Sequence, residues 1–490
     1  MRRTLISGAS AAILLLALGA CAAVGPNFTP PAAPTVQTYA QAGDAPSPTA
    51  ELGGRLAGDW WALLASPEID ATVRQAMTGN RDLEAARASL DQARDAVLSQ
   101  ASRATLDANG MVARQRVNLT SFGFAQFPGP NGPIKLENPT FTMYSFGLSG
   151  RYDLDVFGGR RREHESLQAR AEAQALQTDA AYLTLTAQVV SQAIDIASLR
   201  AQIAAAEDIV ASDQTNLDMV GKSYKLGGGT RLDVTTVQTQ TSEDQGTITP
   251  LRQRLATARH ALALLVGRAP ADWAPPDFDL DRIGQPKTLP VSLPSELVRD
   301  RPDIRAAEAR LHAATAQIGV AQADLYPKLS LTGSITQGAL TPANLFSYGA
   351  TGFGIGPQVS IPLFHGEELK AKKRMAEDAA RAALATYEQT VLKAFVQVAD
   401  SLQAIANDDV VIADAERAYG SAADSLRLQR LRYDDGKVAL LPVLDAQRSW
   451  SRTRLGLIRA RAQRLQDSAA LLYAVSHSWT SEPAPVVANR

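Results

Sequence analysis

"DLDVFGG" at positions 153–159 and "SIPLFHG" at 360–366 follow one plan: a short alternating run, a Phe, a spacer, a Gly, and then charged residues. Phe157 and Phe364 lie 207 positions apart, and other features keep nearly the same offset. Leu183, Ala187, Val190, Ile194 and Ala197 are spaced 4, 3, 4, 3, and Val391, Phe395, Val398, Leu402 and Ile405 repeat that spacing 208 positions on. This is a coiled-coil seam, because alternating threes and fours hold one helical face against a partner. "YKLGGGTRLDVTTVQTQ" (224–240) aligns with "YDDGKVALLPVLDAQRS" (433–449) at an offset of 209, pairing Tyr224 with Tyr433, Gly227 with Gly436 and Gln238 with Gln447. "NRDLEAARASLDQA" (80–93) echoes "RPDIRAAEARLHAA" (301–314). The chain therefore reads as an internal duplication, with repeats at 59–280 and 281–480.

Each repeat runs helix, strand pair, long helix, glycine turn and returning helix. The strand pairs are expected at about 104–157 and 328–364, and the hairpins of helices at about 159–267 and 366–477. Alternation is clean in "KLSLTGSITQ", where Leu329, Leu331, Gly333 and Ile335 oppose Ser330, Thr332, Ser334 and Thr336. In "GFGIGPQVSIPLF" the apolar set is Phe353, Ile355, Val359, Ile361 and Leu363; in "FTMYSFGLSGRYDLDVF" it is Tyr144, Phe146, Leu148, Tyr152, Leu154 and Val156. "LDANGMVARQRV" (106–117) alternates poorly and is assigned as a strand because its neighbour needs a partner. Apolar-out, polar-in alternation fits a half-solvated soluble sheet or a membrane barrel equally. The long helices, Gly159 to Lys225 and Gly366 to Asp434, would each span roughly 100 Å at 1.5 Å per residue. Accessory helices begin at "RDLEAARASL" and "RPDIRAAEARL", the second covering about 301–324. Four strands cannot close a barrel, since an open edge in lipid strands its backbone groups, so a membrane reading requires oligomerisation.

Composition narrows the function class. With 49 basic and 50 acidic residues the formal net charge is -1, which argues against nucleic-acid binding. "MRRTLISGASAAILLLALGA" (1–20) has the charged start, apolar middle and small-residue end of a secretory signal peptide. The single cysteine follows at once, at Cys21, so the chain has no disulfide. "LGAC" (18–21) resembles a bacterial lipobox, which implies a covalent lipid on Cys21, and Ala22 in place of Asp points to the outer membrane. Residues 21–58, rich in Pro, Ala and Ser, read as an extended tether that spans distance rather than folding, and 481–490 as a tail.

Together, "VGPNFTPP" after the lipobox, "YDLDVFGGRRREHESLQARAEA", "RPDIRAAEARLHAATAQIGVAQADLYPKLSLTG" and "RYDDGKVALLPVLDAQRS" resemble the TolC-type outer-membrane factors, lipoprotein channels of tripartite efflux pumps of the NodT/OprM kind. The resemblance implies a mainly α chain with membrane β-structure. Three chains would each give four strands to a twelve-stranded outer-membrane barrel above a periplasmic tunnel of helices. It implies as partners a homotrimer, a periplasmic adaptor, an inner-membrane transporter of the proton-driven RND type and outer-membrane lipid. Phe157, Gly159, Phe364 and Gly366 would mark where barrel strands become tunnel helices. Asp445, and less closely Asp233, would belong to an acidic periplasmic aperture, although Pro442 stands where a related pattern has another acid. Helix-terminal charge complementarity is the ordinary alternative for either aspartate. Gly227, Gly228, Gly229 and Gly436 would allow the tip turns, and Leu441 would join them in adaptor docking.

An enzyme is disfavoured. His164, His260, His312, His365 and His477 are scattered without metal-ligand spacing, and read as solvated helix residues. No nucleophile or paired-carboxylate constellation stands out, and no cofactor beyond the lipid is expected. Two alternatives stay open: a channel for type I protein secretion, and a coiled-coil lipoprotein that spans the periplasm without a pore.

Overall fold

The computed structural model describes residues 23–32, 34–41, 43–44, 49–54, 56, 58–100, 102–118, 126–127, 134–135, 138–286, 288–364 and 366–477. Cys21, the signal segment 1–20, His365 and the tail 481–490 lie outside them. In the first half the main elements are α1 (Pro67–Gly79), α2 (Arg81–Ser99), β1 (Ala104–Arg116), β2 (Thr140–Asp153), α3 (Gly159–Lys225) and α4 (Arg231–Val266). The second half has α5 (Pro294–Asp300), α6 (Pro302–Ala323), β3 (Lys328–Ala339), β4 (Thr351–Ser360), α7 (Gly366–Asp434) and α8 (Leu440–Ala474). The expected order recurs in both halves. The glycines at 159 and 366 open helices of 67 and 69 residues.

The chain forms two compact units, each drawing on both halves. Of the described residues, one holds those within 23–30, 92–171 and 310–383, and the other those within 31–91, 172–309 and 384–477. The first unit holds the sheet, ordered β1-β2-β3-β4 and antiparallel throughout. Its central pair joins the halves, with Tyr144 opposite Ala339 and Asp153 opposite Ser330.

The strands are shorter than the alternation suggests. β2 stops at Asp153 and β4 at Ser360, so Leu154, Val156, Ile361 and Leu363 continue the side-chain pattern after the ladder has ended. At the first boundary Asp155 has φ 46° and Gly158 φ 74°, a left-handed turn. The Asp155 carboxylate accepts the Arg160 N–H at 2.8 Å and the Arg161 N–H at 3.0 Å. A helix begins with unpaired N–H groups, and an anion there satisfies both the hydrogen bonds and the dipole.

The second unit is built on the two seams. Val190, Ile194, Ala197, Val398 and Ile405 are fully or almost fully buried and share one apolar cluster with Trp60, Trp61, Leu262 and Leu471. Ala187, Phe395 and Leu402 pack against that cluster at its margin.

Two stretches of the N-terminal segment, residues 24–28 and 50–52, are held by specific contacts. In the first unit Arg162, 4 % exposed, donates to the carbonyls of Val24 (3.1 Å) and Gly25 (3.3 Å) and to Asn27 Oδ1 (2.7 Å). The Phe28 ring stacks on His312 at 4.5 Å, and His312 hydrogen-bonds Glu165 at 3.0 Å, so this histidine is a packing residue rather than a solvated one. In the second unit Ala50–Leu52 pairs in parallel with Leu289–Val291.

The two hairpin turns are the same motif. Gly228 N–H bonds the Ser223 carbonyl and Gly227 N–H that of Tyr224; Lys437 and Gly436 repeat this to Arg432 and Tyr433. Both are Schellman closures, which need a left-handed residue, here Gly227 at φ 77° and Gly436 at φ 69°. Gly228 and Gly229 carry no such φ, so the "GGG" run needs only its first glycine for the turn. Gly227→Ala and Gly436→Ala should each cost about 1–2 kcal/mol through the left-handed penalty, with Gly228→Ala costing less. Thermal unfolding of the detergent-extracted variants checks the ranking.

Candidate functional site

The sheet register sorts the strand side chains into two continuous faces, because directly paired residues point the same way. Leu106, Ala108 and Val112 of β1 pair with Gly150, Leu148 and Tyr144 of β2. Leu148 and Tyr152 pair with Ile335 and Leu331 of β3; Ile335, Gly333 and Leu329 pair with Phe353, Ile355 and Val359 of β4. This face is apolar across all four strands and, among the described residues, uncovered: Leu106 is 77 % exposed, Phe353 81 % and Ile355 78 %. A soluble sheet would bury such a surface, since a contiguous exposed apolar patch of this kind marks a membrane or partner.

The opposite face is polar. Rows run Thr105, Arg151, Thr332, Gly356; then Asp107, Ser149, Ser334, Gly354; then Asn109, Gly147, Thr336, Gly352. Apolar outside and polar inside with period two is the membrane-barrel pattern. On β1 the apolar face runs from Ala104 to Val112 before reaching Arg114 and Arg116, a span that suits the roughly 9–11 residues of a tilted membrane strand. Tyr152 and Tyr144 stand near the two ends of that face on β2, where barrels place aromatic residues at the interfaces. Among the described residues no helix is long and apolar enough to cross a membrane.

The strand-to-helix junctions are unequal. Phe157 stacks on Tyr326 at 4.6 Å, and a side chain at Gly159 would touch Ala323. Asp153 pairs with Arg160 at 3.1 Å beside a cavity of about 420 Å³ lined also by Arg151, Asp155 and Lys328. By contrast Phe364 is 95 % exposed, and Gly366 has open space around it. Asp155, Arg160 and Arg162 organise the first junction and were not singled out in the sequence. Their only signal there is a run of three arginines directly after the Gly158–Gly159 pair.

At the tips the aspartates also differ. Asp233 forms a capping box: its Oδ2 accepts the Thr230 N–H at 2.8 Å and the Thr230 hydroxyl at 2.7 Å, while its own N–H bonds Thr230 Oγ1. Those hydrogen bonds hold its carboxyl below the usual aspartate range. Asp445, six residues into α8, is largely exposed and lies 3.5 Å from Arg448. The N-cap there is Ala439, without a side-chain cap, and Pro442 occupies the first turn, where its missing N–H costs nothing. Leu226, Leu232 and Leu441 are exposed around the two turns.

A four-stranded sheet with a lipid-type face, in one chain with helices of 67 and 69 residues, defines the class of outer-membrane channels built from four strands and long helices per chain. The sequence profile of the family described as "Outer membrane efflux protein" matches residues 72–268 and 293–476, and the chain belongs to that family. It is 28% identical over 468 residues to the pyoverdine export outer membrane protein OpmQ of Pseudomonas aeruginosa, covering 95% of this chain and 96% of that one. Against the toluene efflux pump outer membrane protein TtgI of Pseudomonas putida it is 29% identical over 485 residues, covering 95% and 97%. Among solved structures, the outer-membrane channel OprN superposes with a TM-score of 0.80 at 26% identity, over 93% of this chain and 99% of that one. The protein is an outer-membrane efflux channel with no enzymatic activity of its own.

The two faces make a testable contrast. Ile335→Arg places a charge on the apolar face and should destabilise the sheet by about 2–4 kcal/mol if it lies at the bilayer midplane. Ser334→Arg, one residue away on the polar face, should fold normally and alter ion selectivity in planar bilayers.

Proposed function

We propose that three copies of this chain close their sheets into one twelve-stranded barrel, and that the helices continue it as a periplasmic duct for small molecules. The observation that carries this reading is the sheet itself. It has a lipid-type face, and among the described residues neither β1 nor β4 pairs a further strand at its outer edge. In hydrocarbon those edges would leave a row of N–H and C=O groups without partners, each costing several kcal/mol. Joining β4 of one copy to β1 of the next satisfies both edges at once, and a ring of three gives an even strand number compatible with a lumen.

The cargo follows from chemistry and kinship. Serine, threonine and glycine on the polar face offer a wet wall with few pockets, which suits passage of many small solutes and assigns selection to a partner. Pyoverdine export and toluene efflux by the relatives fit that picture. We place a periplasmic adaptor on the two tips, around Gly227, Gly228, Gly229, Gly436 and Leu441, and behind it a proton-driven inner-membrane transporter. Cys21, acylated after removal of residues 1–20, would tether the chain to the outer membrane. Of the two aspartates Asp445 is the better aperture residue, because Asp233 is drawn into its cap.

Native mass spectrometry of the detergent-extracted mature protein should give three times the mass of one acylated chain. A folded monomer would favour the pore-free structural lipoprotein. If Asp445 narrows the aperture, Asp445→Ala should raise single-channel conductance in planar bilayers several-fold, and an unchanged conductance removes it from that role.

A further inference from the structure

Each helical hairpin contains a pair of carboxyl groups that interact across its two helices, Asp213 with Asp244 and Asp408 with Asp467. In the first hairpin Asp213 lies 12 residues before the end of α3 and Asp244 lies 13 residues after the start of α4. In the second, Asp408 lies 26 residues before the end of α7 and Asp467 lies 27 after the start of α8. In an antiparallel hairpin equal distances from the turn mean equal height. The pairs therefore sit about 18 Å and about 39 Å along the helices from their turns.

Two features recur in both pairs. One residue of each pair keeps a buried carboxylate oxygen with no hydrogen-bond partner, Asp213 Oδ2 and Asp408 Oδ2. The other residue is steadied by a glutamine four positions earlier on its own helix: Gln240 donates to Asp244 at 2.6 Å, and Gln463 to Asp467 at 2.9 Å. Asp213 is only 3 % exposed. Its Oδ1 accepts from Gln447 of α8 at 2.7 Å, and Gln447 also accepts from Asn216 at 2.8 Å. The charged groups near this pair are Arg448 of α8, which bonds Gln240 at 2.6 Å, and Arg430 of α7, which bonds Ser212 and Gln447. Around Asp408 they are Asp409 on its own helix and Arg464 of α8, whose Nε donates to Asp409 at 2.8 Å.

Two ionised carboxylates at hydrogen-bond range, one of them largely dry, repel strongly, whereas a single shared proton turns the repulsion into a hydrogen bond. We propose that Asp213–Asp244 and Asp408–Asp467 are shared-proton clamps, one per hairpin, that lock each descending helix to its returning helix and slacken when the proton leaves.

Burial first, and then the facing carboxyl, push Asp213 and Asp408 from the ordinary 3.8 up to about 7. A carboxyl raised on folding stabilises the fold fully below its unfolded value, near 3.8, and that contribution is lost as pH rises through about 7. The clamps are thus closed in acid and open in mild alkali. The proposal holds for one chain and stands apart from the trimeric reading.

Infrared titration of the intact detergent-extracted protein tests the chemistry. The wild type should show a protonated-carboxyl band at pH 5.5 that disappears with a midpoint near 7. Asp213→Asn should remove about half of it, and Asp213→Asn with Asp408→Asn all of it. Hydrogen exchange tests the mechanics: after correction for intrinsic rates, protection in 206–220 and 238–250 should fall several-fold between pH 5.5 and 8.5. It should stay high in Asp213→Asn, which keeps the Gln447 bond and needs no proton. A band confined to the ordinary carboxylate range overturns the shared proton, and pH-independent protection in the wild type overturns the clamp. Both wild-type readouts stand even if a variant fails to fold.

Discussion

Water is the hydrogen-bond partner of last resort for a peptide group, and the bilayer interior removes it. That constraint organises this protein. Once Leu106, Leu148, Ile335 and Phe353 form a shared uncovered face, the sheet belongs in lipid, and in lipid its two edge strands need partners. In the proposed closure the polar face, with glycine at 352, 354 and 356 on β4, is the interior wall.

The two halves show which parts of a duplicated hairpin are physically obligatory. The Schellman closure is identical in both, since a helix reversing through a left-handed residue has few alternatives to glycine at 227 and 436. The return into the second helix is not: Thr230 and Asp233 build a capping box in one copy, while Ala439 and Pro442 stand in the other. A missing cap is worth about 1 kcal/mol, which seams as deeply buried as Val190–Ile194 and Val398–Ile405 absorb. The junctions diverged in the same way, Phe157 packed against Tyr326 and Phe364 exposed.

Much of the fold was legible because its signals are periodic. The alternation in β2, β3 and β4 and the seams of α3 and α7 survive as patterns without coordinates. β1 was faint because its apolar face is largely small, with Ala104, Ala108 and Gly110, while Met111 sits on the polar side. Strand ends were overrun for a related reason: Val156 and Leu363 still alternate, but a strand ends where its partner and backbone turn end it, here at Asp155. The binding of residues 24–28 by Arg162 and His312 was invisible, since it joins positions some 135–285 apart without any repeat to announce it. The carboxyl pairs lay between these extremes. Their equal spacing from each glycine turn is in the sequence, but burial, which gives the spacing meaning, is not.

The central ladder, β2 on β3, also sets a timetable. Its residues are separated by the whole first helical hairpin, so Tyr144 must wait for Ala339 to emerge into the periplasm before a single rung can form. Closing so long a loop is slow, and until it happens the apolar faces of β1 and β2 stand exposed on a two-stranded ribbon. Biogenesis of such a chain therefore has an aggregation-prone interval that outlasts the arrival of the second half and ends only when the long loop has closed.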